Sequence, residues 1–212
     1  MNRPAPTDAD RVSGRAGTAC LPGARIASAA WRVAGFTILA VCLGSGSTAD
    51  RAPSTAEEYR LKAAFLFHFA QLVDWPSGAL GADTNPVTLC TLGIEAFDEL
   101  DAVVVGKLIG TRPLRVLHLK PAQDIRGCHL LFVGSGERTR VPLLLAGLKR
   151  AAILTVGETD GFVRQGGIIG FCLEDKKVRF DINLDASQRA GLKISSRLML
   201  LAKSVTGDAD SR

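Results

Sequence analysis

Three histidines, a few cysteines and one glycine-rich loop carrying two arginines are the residues with which this 212-residue chain could do chemistry. His68, His118 and His129 each stand alone, with no second His, Cys or carboxylate at the spacing of a metal site such as HxxxH or CxxC. No metal is expected. His68 lies within "KAAFLFHFAQLVDWP", residues 62–76, a crowded apolar run in which a packed structural imidazole is the expectation. His118 and His129 fall in two predicted strands. The segment "GSGERTR", residues 134–140, follows a strand pattern and leads toward a helical one. Backbone N–H groups there could meet a phosphate or carboxylate, and Arg138 and Arg140 would add charge-assisted hydrogen bonds. Thr139 stands where a dinucleotide fingerprint needs its third glycine, and no P-loop lysine follows, so no cofactor is implied. A GxSxG nucleophile elbow does not occur, which leaves acyl-transfer hydrolysis without support. No catalytic residue is assigned, and the chain reads as a non-enzyme.

How the cysteines behave depends on compartment. Arg25 and Arg32 precede the apolar run "VAGFTILAVCL", residues 33–43, and small residues follow with Ser47 and Ala49 at the −3 and −1 places of a signal-peptidase site. The run is too short for a stable membrane anchor, which takes about 20 residues. Residues 1–49 are therefore read as a long charged region and a cleaved signal, cut after Ala49. Cys42 in "LAVC" resembles a lipoprotein box, but Val41 is bulky for the position before a lipidated cysteine. Periplasmic export leaves Cys90, Cys128 and Cys172 in an oxidising compartment, enough for one bridge and one leftover thiol. Cys90 ends one apolar strand and Cys128 precedes another. A bridge between them needs neighbouring strands with Cα atoms about 4.4–6.8 Å apart, and would be a staple or a redox switch. Cys172, among apolar neighbours, reads as an unpaired buried thiol.

The leader also accounts for much of the basic charge. It carries +3 of the net +5, so the remainder has no dense Lys/Arg stripe and nucleic acid is not an expected partner. Hydrophobic residues at 47% and charged residues at 22% suit an ordinary globular core.

The elements that would position these residues follow from periodicity. Ser54 and Thr55, three residues before Glu57 and Glu58, have capping-box spacing. The helix they open is predicted to run to about Asp74, with Leu61, Phe65, Phe69, Leu72 and Val73 forming its apolar face. Strands are predicted near 86–93, 114–119, 129–133 and 153–156, with helices at 96–105 and from 141. Two further strands, 168–173 and 178–183, form a hairpin around the charged turn 174–177, and "SSRLMLLAKSV" reads as a closing helix. The pattern predicts a single layered α/β domain over 50–212, core about 54–206. Its sheet is mixed and mostly parallel, with helices on both faces and a C-terminal β-hairpin.

Five stretches occur in an order that resembles the YfiR family of exported bacterial proteins: "EEYRLKAAFLFHFAQLVDWP", "VTLCTLG", "CHLLFVG", "ILTVGETDGFVRQGGIIGF" and "VRFDINLDASQRAGLKISSRLMLLAKSV". The resemblance covers about residues 56–205. It implies a compact periplasmic α/β domain, often a homodimer, that represses an inner-membrane diguanylate cyclase through its periplasmic sensing region and so lowers cyclic-di-GMP output and biofilm formation. It also places Cys90 and Cys128 at one family bridge. A second family bridge would pair Cys172 with a cysteine near Val163, and this chain has none there.

Two rival readings stand beside the regulator. One is a periplasmic small-ligand sensing module acting on another membrane signalling protein, such as a histidine kinase. It would use the loops at 134–140 and 157–167, since crevices at the carboxyl ends of parallel strands are usual ligand sites. The other is a thiol oxidoreductase working through Cys172.

Overall fold

The computed structural model describes residues 54–120 and 123–207; the leader at 1–49, with Cys20, Cys42 and the cleavage expected after Ala49, lies outside them. The elements run α1 (Thr55–Gln71), β1 (Val73–Asp74), β2 (Val87–Leu92), α2 (Phe97–Val104), β3 (Leu108–Ile109), β4 (Arg112–Leu119) and β5 (Leu130–Val133). A 3-10 turn (Ser135–Glu137) leads to α3 (Val141–Leu148), β6 (Leu154–Gly157), β7 (Ile169–Glu174), β8 (Lys177–Asn183) and α4 (Leu184–Arg189). The chain closes with β9 (Lys193–Ile194), α5 (Ser196–Leu201) and β10 (Ser204–Thr206).

Eight strands form one sheet in the order β10-β8-β7-β6-β5-β2-β4-β3, and β1 pairs with β9 apart from it. From β7 through β4 the neighbours are parallel, while β7–β8 and β3–β4 are antiparallel. The mixed, mostly parallel sheet and its C-terminal hairpin are as the sequence predicts. The hairpin turn takes only Asp175 and Lys176, both at positive φ (48° and 61°), the conformation of a two-residue turn that matches strand twist.

β2, β5 and β6 are buried along their whole length because both faces of the sheet are covered. On one face Leu89, Leu130, Phe132, Leu154 and Val156 pack with α1 and α2. Phe69 of α1 meets Phe180 edge-on, with ring centroids 4.9 Å apart, and stacks on Phe171, fastening the helix to the hairpin. On the other face Cys90, Leu92, Leu131 and Val133 pack against Val141 and Leu145 of α3.

The path through the sheet reverses at β2. From β2 the chain passes through α2 to β4 on one side, then returns across β2 to β5 on the other. Among the described residues of that return, 120 and 123–129, no helix forms, and Ile125 packs with the α3-side cluster. A disulfide joins Cys128 at its end to Cys90 of β2, with Cα atoms 5.7 Å apart. The bridge thus ties the end of this crossover to the strand it crosses.

Three element expectations are corrected. α1 ends at Gln71 rather than near Asp74, because Val73 and Asp74 pair with Ile194 and Lys193, and the Leu72 carbonyl accepts from the Ser195 N–H. α4 forms where no helix is predicted, capped by the Asn183 side chain on the Ala186 N–H. The closing helix stops at Leu201, and Ser204–Thr206 then join β8 as an edge strand. Within this helix Leu198 is buried while Leu200 is 86% exposed.

Candidate functional site

Glu158, which sequence reasoning did not single out, is a carboxylate with polar partners from two other segments of the chain. It follows β6 directly, at the carboxyl end of the parallel strands. Its Oε1 accepts from the Tyr59 hydroxyl and from the Ser135 N–H, both at 2.8 Å, and its Oε2 accepts from Lys62 at 2.6 Å. Lys62 is only 6% exposed, and its ammonium also meets Glu58 at 2.5 Å and lies 4.8 Å from the centre of the Tyr59 ring. Helical spacing from Glu58 and the tertiary approach of Glu158 supply two carboxylates to one cation. A buried lysine needs such partners, because an unpaired ammonium there would be costly. Burial, reinforced by the Glu158 charge, pushes the Tyr59 hydroxyl far above its ordinary range, so it stays protonated and donates.

These groups floor a crevice of about 390 Å³ between the first turns of α1, the loops after β5 and β6, and the end of β7. Asp160, Phe171 and Leu173 complete the parts that could meet a ligand. With Glu58, Glu158 and Asp160 against Lys62, its lining is net acidic. The flanking loops are shaped by glycines: a Cβ at Gly157 or Gly167 would overlap the buried Phe162 ring, and one at Gly134 would overlap the Gly93 carbonyl. Physically, the "LTVG…GG" stretch is a clamp around Phe162.

The loop at 134–140 does meet an anion, but one built into the chain, since its Ser135 N–H is taken by Glu158. Arg138 lies 4.0 Å from Asp160, both exposed, and Arg140 donates to Glu137 at 3.4 Å. The two arginines therefore point to different carboxylates and do not converge on one site.

His68 is exposed on α1, with Nδ1 3.3 Å from Gln71. His129 accepts the Thr88 N–H on Nδ1 at 2.9 Å, and burial lowers its pKa from the ordinary 6.5. His118 is more interesting: Nδ1 is 2.8 Å from the Thr91 hydroxyl and Nε2 is 3.1 Å from Asp101. That hydroxyl, imidazole and carboxylate have the order of a hydrolytic triad, yet Thr91 is 0% exposed in the sheet interior, where no substrate can reach it. The chain instead links β2, β4 and α2. Among the described residues, no group of three or more His, Cys, Asp or Glu could hold a metal.

Cys90 and Cys128 form the one disulfide among the described residues, and Cys172 is a free thiol beside the crevice. Burial, helped by Asp181, raises the Cys172 pKa, which works against the thiolate that oxidoreductase chemistry requires.

Two solved structures align with part of the chain. One is a conserved domain protein from Vibrio cholerae O1 biovar El Tor, 8% identical, TM-score 0.48, covering 70% of this chain. The other is the ABC domain in complex with L-Trp from Streptococcus pneumonia, 12% identical, TM-score 0.46, covering 66% of this chain. The chain spans 60% of the length of each. The YfiR/HmsC-like family model matches residues 59–203, from the Tyr59 that donates to Glu158 to the Lys203 that follows α5. With that match over more than half its length, the chain belongs to the YfiR/HmsC-like family.

Proposed function

We propose that this protein is a periplasmic, non-catalytic regulator that binds the periplasmic sensing region of an inner-membrane diguanylate cyclase and represses it. The observation that carries this reading is the family match across residues 59–203, because the family suggests periplasmic regulators of cyclic-di-GMP signalling. A cleaved leader would deliver the protein, and a homodimer would be the binding form. Repression acts by preferential binding to the inactive state of the cyclase, which shifts its population. The disulfide is compatible with export, and no described helix is long and apolar enough to cross a membrane. The test is capture of the tagged protein from detergent-solubilised membranes, together with cyclic-di-GMP measurement after gene deletion. A stoichiometric inner-membrane cyclase and a rise in cyclic-di-GMP are expected. An unchanged cyclic-di-GMP level across growth conditions, with no cyclase recovered, would sink the proposal.

The Glu158 crevice favours a second reading, a small-ligand sensing module acting on another membrane signalling protein such as a histidine kinase. The crevice opens between the loops that follow β5 and β6, and its net acidic lining suits a cationic ligand. A thermal-shift screen of small amines that finds no stabilisation removed by Asp160→Ala would count against it.

A further inference from the structure

On the face of the sheet opposite α1, at the carboxyl ends of β2 and β4, lies a second pocket of about 230 Å³. Its place is set by topology: Leu92 ends β2, Leu119 ends β4, and Glu137 follows β5, so it opens where the chain reverses direction across the sheet. Crevices outside the carboxyl ends at such a switch point are where open α/β sheets bind ligands. Its walls are unlike those of the Glu158 crevice. Leu92, Leu119, Ile125 and Leu144 make them mostly hydrocarbon, and all four pack into the cluster that holds the disulfide. Water in such a space has few polar partners, so an apolar occupant is favoured over solvent.

The polar groups are few and unequal in charge. Glu137 is buried at 6% exposure, and Arg140 reaches it through Nη1 at 3.4 Å. A guanidinium has five N–H donors, so the half-exposed Arg140 keeps donors for a second acceptor. Lys120, exposed on the pocket rim, forms no ion pair with a carboxylate among the described residues. Two cations against one buried carboxylate leave the mouth net positive. Hydrocarbon walls under a cationic mouth complement a molecule with an apolar tail and an anionic head. At an interior packing density of ~0.74 the space holds about ten heavy atoms, the size of an eight-carbon carboxylate.

We propose that this pocket binds a free medium-chain carboxylate, its tail against Leu92, Leu119, Ile125 and Leu144 and its head held by Arg140 and Lys120 at the mouth. The site stands independently of which membrane protein the chain engages. It gives Arg140 a ligand role in a different crevice from the one that its loop's glycines suggest. The Cys128 N–H donates to the Ile125 carbonyl, so the Cys90–Cys128 bridge anchors that part of the wall in the oxidised protein.

The experiment is titration of the oxidised full-length protein with octanoate, octylammonium and acetate, followed by calorimetry and by amide chemical shifts. Octanoate is expected to bind saturably with one equivalent, shifting the amides of Leu92, Leu119, Ile125 and Leu144. Octylammonium should bind at least about tenfold more weakly, which is about 1.4 kcal/mol, and acetate not measurably. Leu144→Trp, which fills the pocket, should abolish binding, and Leu173→Trp in the Glu158 crevice should leave it unchanged. If Leu144→Trp fails to fold, Arg140→Gln at the exposed mouth carries the test, with an expected loss of about tenfold. Unsaturable uptake, equal binding of octylammonium, or shifts confined to the Glu158 crevice each overturn the proposal. A negative titration leaves the membrane-capture result untouched, and a missing membrane partner leaves octanoate binding untouched.

Discussion

The Lys62 ammonium lies between Glu58 and Glu158 at 2.5 and 2.6 Å, with its side chain only 7% exposed. Glu158 in turn holds Tyr59 of α1 and the Ser135 backbone, so one carboxylate joins the first helix to two strand exits. Removing one partner of a buried pair strands the other charge, at a cost of about 3 kcal/mol, whereas replacing both with apolar groups is often close to neutral. Glu58 still pairs with Lys62 in Glu158→Gln, so the variant is expected to lower unfolding free energy by about 2 kcal/mol in urea titrations, as for the loss of a charge-assisted hydrogen bond. The Lys62→Met, Glu158→Leu double variant should recover most of that loss, and additive losses would show that the pair is not coupled. His129 makes a separate, pH-dependent contribution. Its folded pKa lies below the ordinary 6.5, chiefly through burial, with Arg112 and Arg115 adding to the effect against a hydrogen bond at Ala79. The unfolded chain thus binds the proton more readily, and stability is lost as pH falls from about 6.5 toward the folded pKa. Protonation of Nδ1 would also break the Thr88 hydrogen bond. His129→Gln is expected to flatten the slope of stability between pH 7.5 and 5.5 relative to the parent. An identical slope in both proteins would assign the dependence elsewhere.

At the scale of elements, α1 shows what sequence conveys and what it leaves out. The capping box is present in full, with Ser54 and Glu57 each accepting the other's backbone N–H. Ser54→Ala should cost about 1 kcal/mol, measured by thermal unfolding. The buried face, however, is Ala63, Leu66, Phe69 and Ala70 together with Lys62, while Leu61 is exposed. Hydrophobic spacing puts Leu61 inside and Lys62 outside, and the distant Glu158 reverses them. No local pattern could signal this, because the partner lies 96 residues away. The same limit explains the C-terminus: "SSRLMLLAKSV" has helical composition, but pairing with β8 takes Ser204–Thr206 into the sheet. The strands and hairpin were legible because apolar runs bounded by glycine depend on local chemistry. The Glu158 site was not legible, because its members come from three separate segments. The crossover between β4 and β5 adds a further prediction. In the chain-entropy model a bridge across 38 residues is worth about 4 kcal/mol. Cys90→Ser with Cys128→Ser should lower stability by up to that amount, with amide exchange speeding most across residues 123–128.

For the molecule as a whole, the central parallel strands are wrapped on both faces while the sheet ends on short edges. β5 and β6 are wholly buried, and every residue of β10 is exposed. Native-state hydrogen exchange should therefore be slowest at Leu130–Val133 and Leu154–Gly157 and fast at Ser204–Thr206, with exchange tracking local opening. Uniform protection across the sheet would indicate that β10 is covered by a partner or a second copy. The two crevices open on opposite faces at the same end of the parallel strands, so a ligand in one and a membrane protein near the other need not compete.

The bond between Cys90 and Cys128 also keeps time. Its two cysteines come within bonding distance when β2 and β5 pair in parallel. The native bond is therefore a covalent record that β2 and β5 have met in register. Quenching free thiols at intervals after secretion would read the age of each molecule's fold. A chain that reaches an oxidant before β2 and β5 have met has Cys172 as its remaining described alternative, so mispaired Cys172 would measure how often export outruns folding.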